Sequence, residues 1–385
     1  MVVRHIKLQN WRNFRKVDVD LADVTYIIGP NASGKSNLLD VLRFLRDIAR
    51  AGSGGLQKAM EMRGGLAKVR CLAARQVPRI TIGIDLADSF EAPLKWRYEL
   101  EIAQQSSGLH KPVVFREVVC NLVDGRTVLD RPSPDDKKDP ERLTQTALEQ
   151  IGANEGFREV AMFFADALYL HLVPQLLKFG NELQVRSMPN DPFGQGFLEM
   201  LAQTPVRVRE SRLKRIDDML KKAIHNFSEL RFNKDLVGRP HLEMRYSHWR
   251  PNGGWQAEDE FSDGTLRLIA LLWTLLESNS VILLEEPELS LHVELVRQIP
   301  ELVQRSRMSR KKAGGQVLVS THSPALLDSE VISGQYLVLS PKDGGEGAVV
   351  SVPTPMELQM MSAGMTPAEV LFPKTKETIG RLSAS

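Results

Sequence analysis

From the N-terminus, apolar and polar residues alternate over 2–8 and 17–28, the period of a strand, and the second run closes on Val24-Thr25-Tyr26-Ile27-Ile28 before Gly29. Past a glycine-rich turn the period lengthens. Leu38, Val41, Leu42, Leu45, Ile48 and Ala49 recur at i, i+3, i+4 and i+7, which predicts a helix that Gly52 ends. Between Arg79 and Val123 the runs ITIGIDL, WRYELEI and VVFREVVCNLV alternate β-branched and aromatic residues, with turns at Ser106–Gly108 and Asp124-Gly125. They predict an antiparallel sub-sheet.

Pro132–Pro140, PSPDDKKDP, is rich in proline and charge without periodicity and reads as a linker. A mostly helical segment follows to about Leu230, broken at Pro174, Gly180 and Pro189–Gly196; its apolar stretch Ala161–Leu177 reads as a buried helix. β-like runs return at Glu229–Phe232 and His241–Trp249. From Phe261 the pattern becomes helix Leu266–Leu276, strand Val281–Leu284, helix Leu291–Gln304, strand Val317–Val319 and strand near Tyr336–Leu339. Such alternation predicts an α/β fold with a mainly parallel sheet. The expected organisation is one domain in two parts, 1–130 and 231–385, with a helical insertion at 131–230.

Composition narrows the class. Fifty basic and 48 acidic residues leave +2, so local patches rather than total charge must argue for any polyanionic partner. Hydrophobic residues at 42% and charged ones at 25% exclude wholesale disorder and fibrous structure. Cys71 and Cys120 stand in no metal-type spacing, which argues against structural zinc and for a reducing compartment. The charged N-terminus lacks a signal-peptide apolar core, and Ala161–Leu177 and Leu268–Leu276 fall short of the ~20 residues of a membrane span. A cytoplasmic protein without membrane partner is expected.

Gly29-Pro30-Asn31-Ala32-Ser33-Gly34-Lys35-Ser36, followed by Asn37, fits the phosphate-binding pattern G-x-x-x-x-G-K-[ST] between a strand and a helix. Glycines let backbone N–H groups curl around a phosphate at a helix N-terminus, Lys35 reaches the terminal phosphates and Ser36 suits Mg²⁺. Val281–Leu284 ends in Glu285 and Glu286, which suits one carboxylate for the metal shell and one for orienting and deprotonating water. An acidic pair at a strand end is more often how a solvated loop begins, and only the phosphate loop in the same chain favours the metal-site reading. Val317–Val319 leads through Ser320 and Thr321 to His322, able to donate to a terminal phosphate, although a lone histidine there is commonly structural. All three strands deliver polar groups at their carboxyl ends, where parallel α/β sheets bind ligands.

In that order, GPNASGKSN, FSDGTLR, LLEEPELSLH and VSTHSP resemble the ABC-class ATPases of the SMC, RecF-like and OLD-like group, most closely compact bacterial ATPases with an SDGTLR signature. The resemblance spans roughly residues 1–50 and 255–330. It implies an ABC-type P-loop head that uses ATP and Mg²⁺ in a head-to-tail homodimer, with assembly into a larger cage left open. By the same resemblance, Asn31, Ala32, Ser33, Gly34, Lys35, Ser36 and Asn37 hold nucleotide, Ser36 and Glu285 the metal. Glu286 is implied as catalytic base, His322 as switch histidine, and Glu288–His292 as the loop that meets the other subunit. Ser262, Asp263 and Gly264 would face the partner's γ-phosphate, though a plain helix cap explains Ser262 or Asp263 as well. Arg12 and Asn13, with Phe14, resemble a segment near nucleotide, the surface-hairpin alternative remaining open. Two departures matter: Glu285 replaces the more usual aspartate, and SDG replaces the SGG of transporter ATPases, which argues against a transporter subunit. Gln175 is the candidate for the Q-loop glutamine, against an ordinary helix-surface amide.

Arg305, Arg307, Arg310, Lys311 and Lys312 form a cationic run without an acid, suited to the backbone of double-stranded DNA and equally to a solvated loop. The cluster from Arg207 to Lys222 is diluted by acids and reads as an amphipathic surface helix. No nuclease metal motif is present, and the residues after His322 are expected to complete the ATPase rather than add a nuclease domain. The expected function is therefore an ATPase whose ATP-driven dimerisation regulates a separately encoded nuclease or toxin effector, in bacterial anti-phage defence or foreign-DNA sensing. Alternatives are a RecF- or SMC-like DNA repair or maintenance ATPase, and a nucleotide-gated scaffold that hydrolyses little.

Overall fold

The computed structural model describes residues 1–50, 52, 54–73, 78–105, 110–179, 191–247, 254–277, 280–308, 315–328, 333–342 and 347–376. The first three strands are β1 (Val2–Trp11), β2 (Phe14–Asp20) and β3 (Val24–Ile28). The antiparallel sub-sheet comprises β4 (Ile80–Ala87), β5 (Leu94–Gln104), β6 (Pro112–Asn121) and β7 (Arg126–Arg131). A short strand β8 (Leu168–Leu170) follows, and β9 (Phe227–Lys234), β10 (Pro240–Tyr246) and β11 (Gln256–Ala257) make a separate small sheet. The last strands are β12 (Ile282–Glu285), β13 (Val317–Thr321), β14 (Gln335–Pro341) and β15 (Ala348–Ser351).

The large sheet runs β7-β6-β5-β4-β1-β2-β15-β14-β3-β13-β12-β8. Its β14-β3-β13-β12-β8 half is parallel, and its β7-to-β2 half is antiparallel. The expected sub-sheet is thus continuous with the parallel sheet. Period-two alternation divides the parallel strands between two cores: Ile27, Leu283, Leu318 and Leu337 face one, while Tyr26, Leu284, Val319 and Tyr336 face the other. The helix Lys35–Ala49 covers the first face and Asp263–Glu277 the second. Each large side chain so buried contributes about 1.5–3 kcal/mol, which holds the strand ends that carry the motifs in fixed register.

Three expectations need correction. Ala161–Leu177 is not one helix: the helix Arg158–Ala165 ends, and Leu168–Leu170 then pairs with β12, inside the stretch read as an insertion. Three residues are too few to show a period, so the apolar run masked the change. Pro132–Pro140 is no free linker, because Ser133 and Asp136 form a capping box on the helix Pro134–Lys138. Asp136 is buried there against the Arg131 guanidinium at 3.0 and 3.1 Å. The expected helix Leu291–Gln304 is two helices, Val293–Val296 and Ile299–Met308, the second with Pro300 in its first turn, where proline is tolerated.

Candidate functional site

The glycine-rich turn connects the carboxyl end of β3 to the helix Lys35–Ala49. Gly34 has φ 103°, a left-handed conformation that glycine adopts freely, and the Asn13 side chain lies where its Cβ would be. Asn13 Nδ2 donates to the Ser33 carbonyl at 3.0 Å and its Oδ1 accepts from Asn37 Nδ2 at 2.9 Å, so the β1–β2 hairpin braces the loop. Asn31 and Ala32 are exposed at the tip. Arg12 pairs with Asp40 at 3.1 Å, and a cavity of about 690 Å³, lined by Arg12, Asn13, Asn37, Lys68 and Arg70 among others, opens beside the loop. That volume lies in the usual range for small-molecule sites, about 300–1,000 Å³.

Lys35 is buried and donates to the Gly29 and Pro30 carbonyls at 2.9 and 3.1 Å, with its ammonium 3.8 Å from Glu286 Oε1. Burial pulls its pKa below the ordinary lysine value, and Glu286, Glu288 and Glu285 oppose that shift. Parallel pairing sets Glu285 beside Ser320 and Ile28 beside Thr321, so the ends of β3, β13 and β12 form one polar edge. Alternation along β12 puts Glu285 on the same face as Leu283, the face covered by the P-loop helix, and there Ser36 Oγ donates to Glu285 Oε1. Tyr169 of β8 donates to Glu285 Oε2. Burial and then the Glu285 carboxylate push the Tyr169 hydroxyl pKa far above its ordinary value, which keeps the hydroxyl a donor.

Glu286 leaves the strand with φ 44°, and its side chain meets His322 Nδ1 at 3.1 Å. A positive φ at a non-glycine residue costs of order 1–3 kcal/mol and clusters at functional sites. Ser290 has φ 65°, so both ends of the loop carry this strain. Glu288 is turned inward, accepting from Thr321 Oγ1 at 2.6 Å and from the His322 N–H at 3.3 Å, and burial raises its pKa above the usual carboxylate value.

Ser262, Asp263 and Gly264 lie at the start of the helix Asp263–Glu277. Ser262 Oγ accepts from the Thr265 N–H at 3.1 Å, an N-cap, while Asp263 pairs with Lys178 at 2.9 Å and accepts from Gln175 Nε2 at 3.3 Å. Gln175 thus rests on the signature helix of its own chain. Arg305 pairs with Glu301, and Arg307 is largely buried, 2.7 Å from Asp23 and donating to the Gly315 carbonyl at 3.1 Å. Arg310, Lys311 and Lys312 lie outside the described residues. The structure therefore gathers Asn13, Lys35, Ser36, Glu285, Glu286 and His322 at one edge and ties Arg307 elsewhere. Tyr169 and Arg267 were missed by sequence reasoning; Arg267 stands inside the quoted SDGTLR stretch, whereas Tyr169 had no signal beyond a β-forming residue in an apolar run.

Comparison with known proteins matches residues 24–328 to the family described as "AAA domain, putative AbiEii toxin, Type IV TA system". The chain belongs to this AAA family. A 46-residue segment, 12% of this chain and 12% of the relative, is 48% identical to the DNA replication and repair protein RecF of Lactobacillus acidophilus. The chain thus matches only a small part of that relative's length. The fold of this AAA-family chain is that of SMC heads: the SMC head domain from Thermotoga maritima aligns with TM-score 0.50 at 13% identity, over 92% of this chain and 100% of that one. An SMC head bound to the C-winged helix domain of ScpA aligns with TM-score 0.54 at 13% identity, over 93% and 100%. The fold is thus that of an ABC-type P-loop head, with a mainly parallel half and an antiparallel sub-sheet. Among the described residues no helix is long and apolar enough to cross a membrane.

Proposed function

We propose that the chain binds ATP with Mg²⁺ at the carboxyl edge of β3, β12 and β13 and hydrolyses it in a head-to-tail homodimer. The observation that carries this reading is the convergence of Lys35, Ser36, Glu285, Glu286 and His322 from three separate strand ends. Lys35 exchanges the Gly29 and Pro30 carbonyls for phosphate oxygens, and the 690 Å³ cavity beside Asn13 takes the nucleoside. A hydroxyl and a carboxylate are hard oxygen donors, and two such protein ligands fit an ion that keeps several waters and phosphate oxygens. Mg²⁺ held by Ser36 and Glu285 would neutralise charge on the β- and γ-phosphates. Glu286 then orients and deprotonates the attacking water, and His322, bonded to it, donates to the terminal phosphate. Ser262, Asp263 and Gly264, which in their own chain meet Thr265, Gln175, Lys178 and the loop at Ser290, serve the nucleotide of the second chain.

ATP-dependent closure of the dimer governs a separately encoded nuclease or toxin effector in defence against foreign DNA; the family description and the protein-bound SMC head support work with a distinct partner. The RecF-like segment favours a second reading, a DNA repair or maintenance ATPase with duplex-stimulated turnover. Turnover per subunit, measured against enzyme concentration for the unmodified chain and for Glu286→Gln, tests the chemistry. Specific activity should rise with concentration and vanish in Glu286→Gln; no turnover from concentrated protein would end the hydrolytic reading. Adding duplex DNA at several salt concentrations separates the two settings, indifference counting against DNA maintenance.

A further inference from the structure

Glu285 carries one more methylene than the aspartate expected at its position, and so one more torsion to fix. Both of its oxygens are held: Ser36 donates to Oε1 and Tyr169 to Oε2. The second hold comes from the sheet edge, since Tyr169 pairs in register with Leu283, two residues before Glu285 and on the same face. The tyrosine ring is itself fixed. Arg43 places its guanidinium 4.6 Å from the ring centroid, and Arg43 lies two turns beyond Ser36 on the P-loop helix, hence on the same helix face. One helix thus supplies the first donor to the carboxylate and the support for the second.

We propose that Tyr169 is a positioning residue for the metal site, holding the distal oxygen of Glu285 so that the longer carboxylate presents its remaining lone pairs toward a divalent cation beside Ser36. The inference rests on the reading of this edge as an Mg·ATP site. Tyr169 touches neither substrate nor cation; it acts through Glu285, as outer-shell partners of metal ligands do.

The test uses the full chain with Glu286→Gln to suppress turnover, Mn²⁺ as probe, and the electron paramagnetic resonance signal of free Mn²⁺ read in the presence of ATP. Binding of a fluorescent ATP analogue in excess chelator is measured alongside. Tyr169→Phe keeps the ring over Arg43 and removes only the hydroxyl. It should weaken Mn²⁺ binding about 10-fold while leaving metal-free nucleotide binding unchanged. In a Glu285→Asp background, where the shorter side chain no longer reaches the tyrosine, Tyr169→Phe should change Mn²⁺ affinity less than twofold. Equal Mn²⁺ affinity with and without the hydroxyl would overturn the proposal, as would parallel loss of metal-free nucleotide binding, the mark of a merely structural role. If the unmodified chain binds no nucleotide at all, the ATP-site reading itself falls and takes this inference with it.

Discussion

Arg267 joins the signature helix to the peptide of Glu286: its guanidinium donates to the Glu286 carbonyl at 3.1 Å and to the Leu289 carbonyl at 3.0 Å. Arg267 is buried, one turn into the helix that starts at Asp263. In a head-to-tail dimer the start of that helix serves one nucleotide and Glu286 the other. Arg267 is then the rigid link between the two sites.

Replacing Arg267 by methionine keeps bulk but takes the guanidinium from both carbonyls: that of Glu286 keeps the Leu289 N–H at 3.2 Å, whereas that of Leu289 loses the Arg267 donor. Stability should fall by about 1–3 kcal/mol in urea unfolding. Turnover should fall at least tenfold, while nucleotide binding, which depends on the P-loop, should be nearly unchanged. Lost binding with intact stability would contradict the linkage.

Gly264 approaches the Ser290 carbonyl so closely that an added Cβ would lie 2.7 Å from that oxygen. The neighbour is backbone and cannot rotate away. Gly264→Ala should therefore destabilise by about 1–3 kcal/mol, read from the urea midpoint. Gly152→Ala is the control, since nothing lies within 4 Å of a Cβ there and its φ is not positive. It should shift stability by no more than about 0.5 kcal/mol.

The forked pair with the Arg131 guanidinium holds the buried Asp136 carboxyl well below the usual carboxylate range. A folded pKa below the unfolded one contributes stability that is complete above the unfolded value, about 3.9, and is lost as pH falls through the folded value. Asp136→Asn should cost about 3 kcal/mol at pH 7, and the gap to the unmodified chain should narrow steadily below pH ~4. Paired urea titrations at both pH values check the sign.

Arg305 and Arg307 should behave differently under charge reversal. Arg307→Glu would bury an acid against Asp23, so stability should drop by about 2–4 kcal/mol. Arg305→Glu, at a half-exposed surface pair with Glu301, should cost less than about 1 kcal/mol. If this segment binds duplex DNA, Arg305→Glu is the clean probe and should lower the salt slope of binding by about one. An unchanged slope would remove Arg305 from the DNA surface.

Local chemistry determined much of this protein by itself. A phosphate loop needs a left-handed glycine at residue 34, a lysine and a hydroxyl at one helix start, and these are contiguous, so Gly29–Asn37 declares itself in the chain. The run Val24-Thr25-Tyr26-Ile27-Ile28, hydrophobic or aromatic at four of five positions, likewise marks a strand that the structure covers on both faces. What only the tertiary structure decided is how distant segments meet. Asn13 braces the loop from a hairpin, Arg267 reaches back to Glu286, and Tyr169 reaches Glu285 across 116 positions from a three-residue strand with no period of its own. Periodicity reports which face a side chain takes, whereas the partner on that face is set by sheet order and register, which β12 acquires only between β13 and β8.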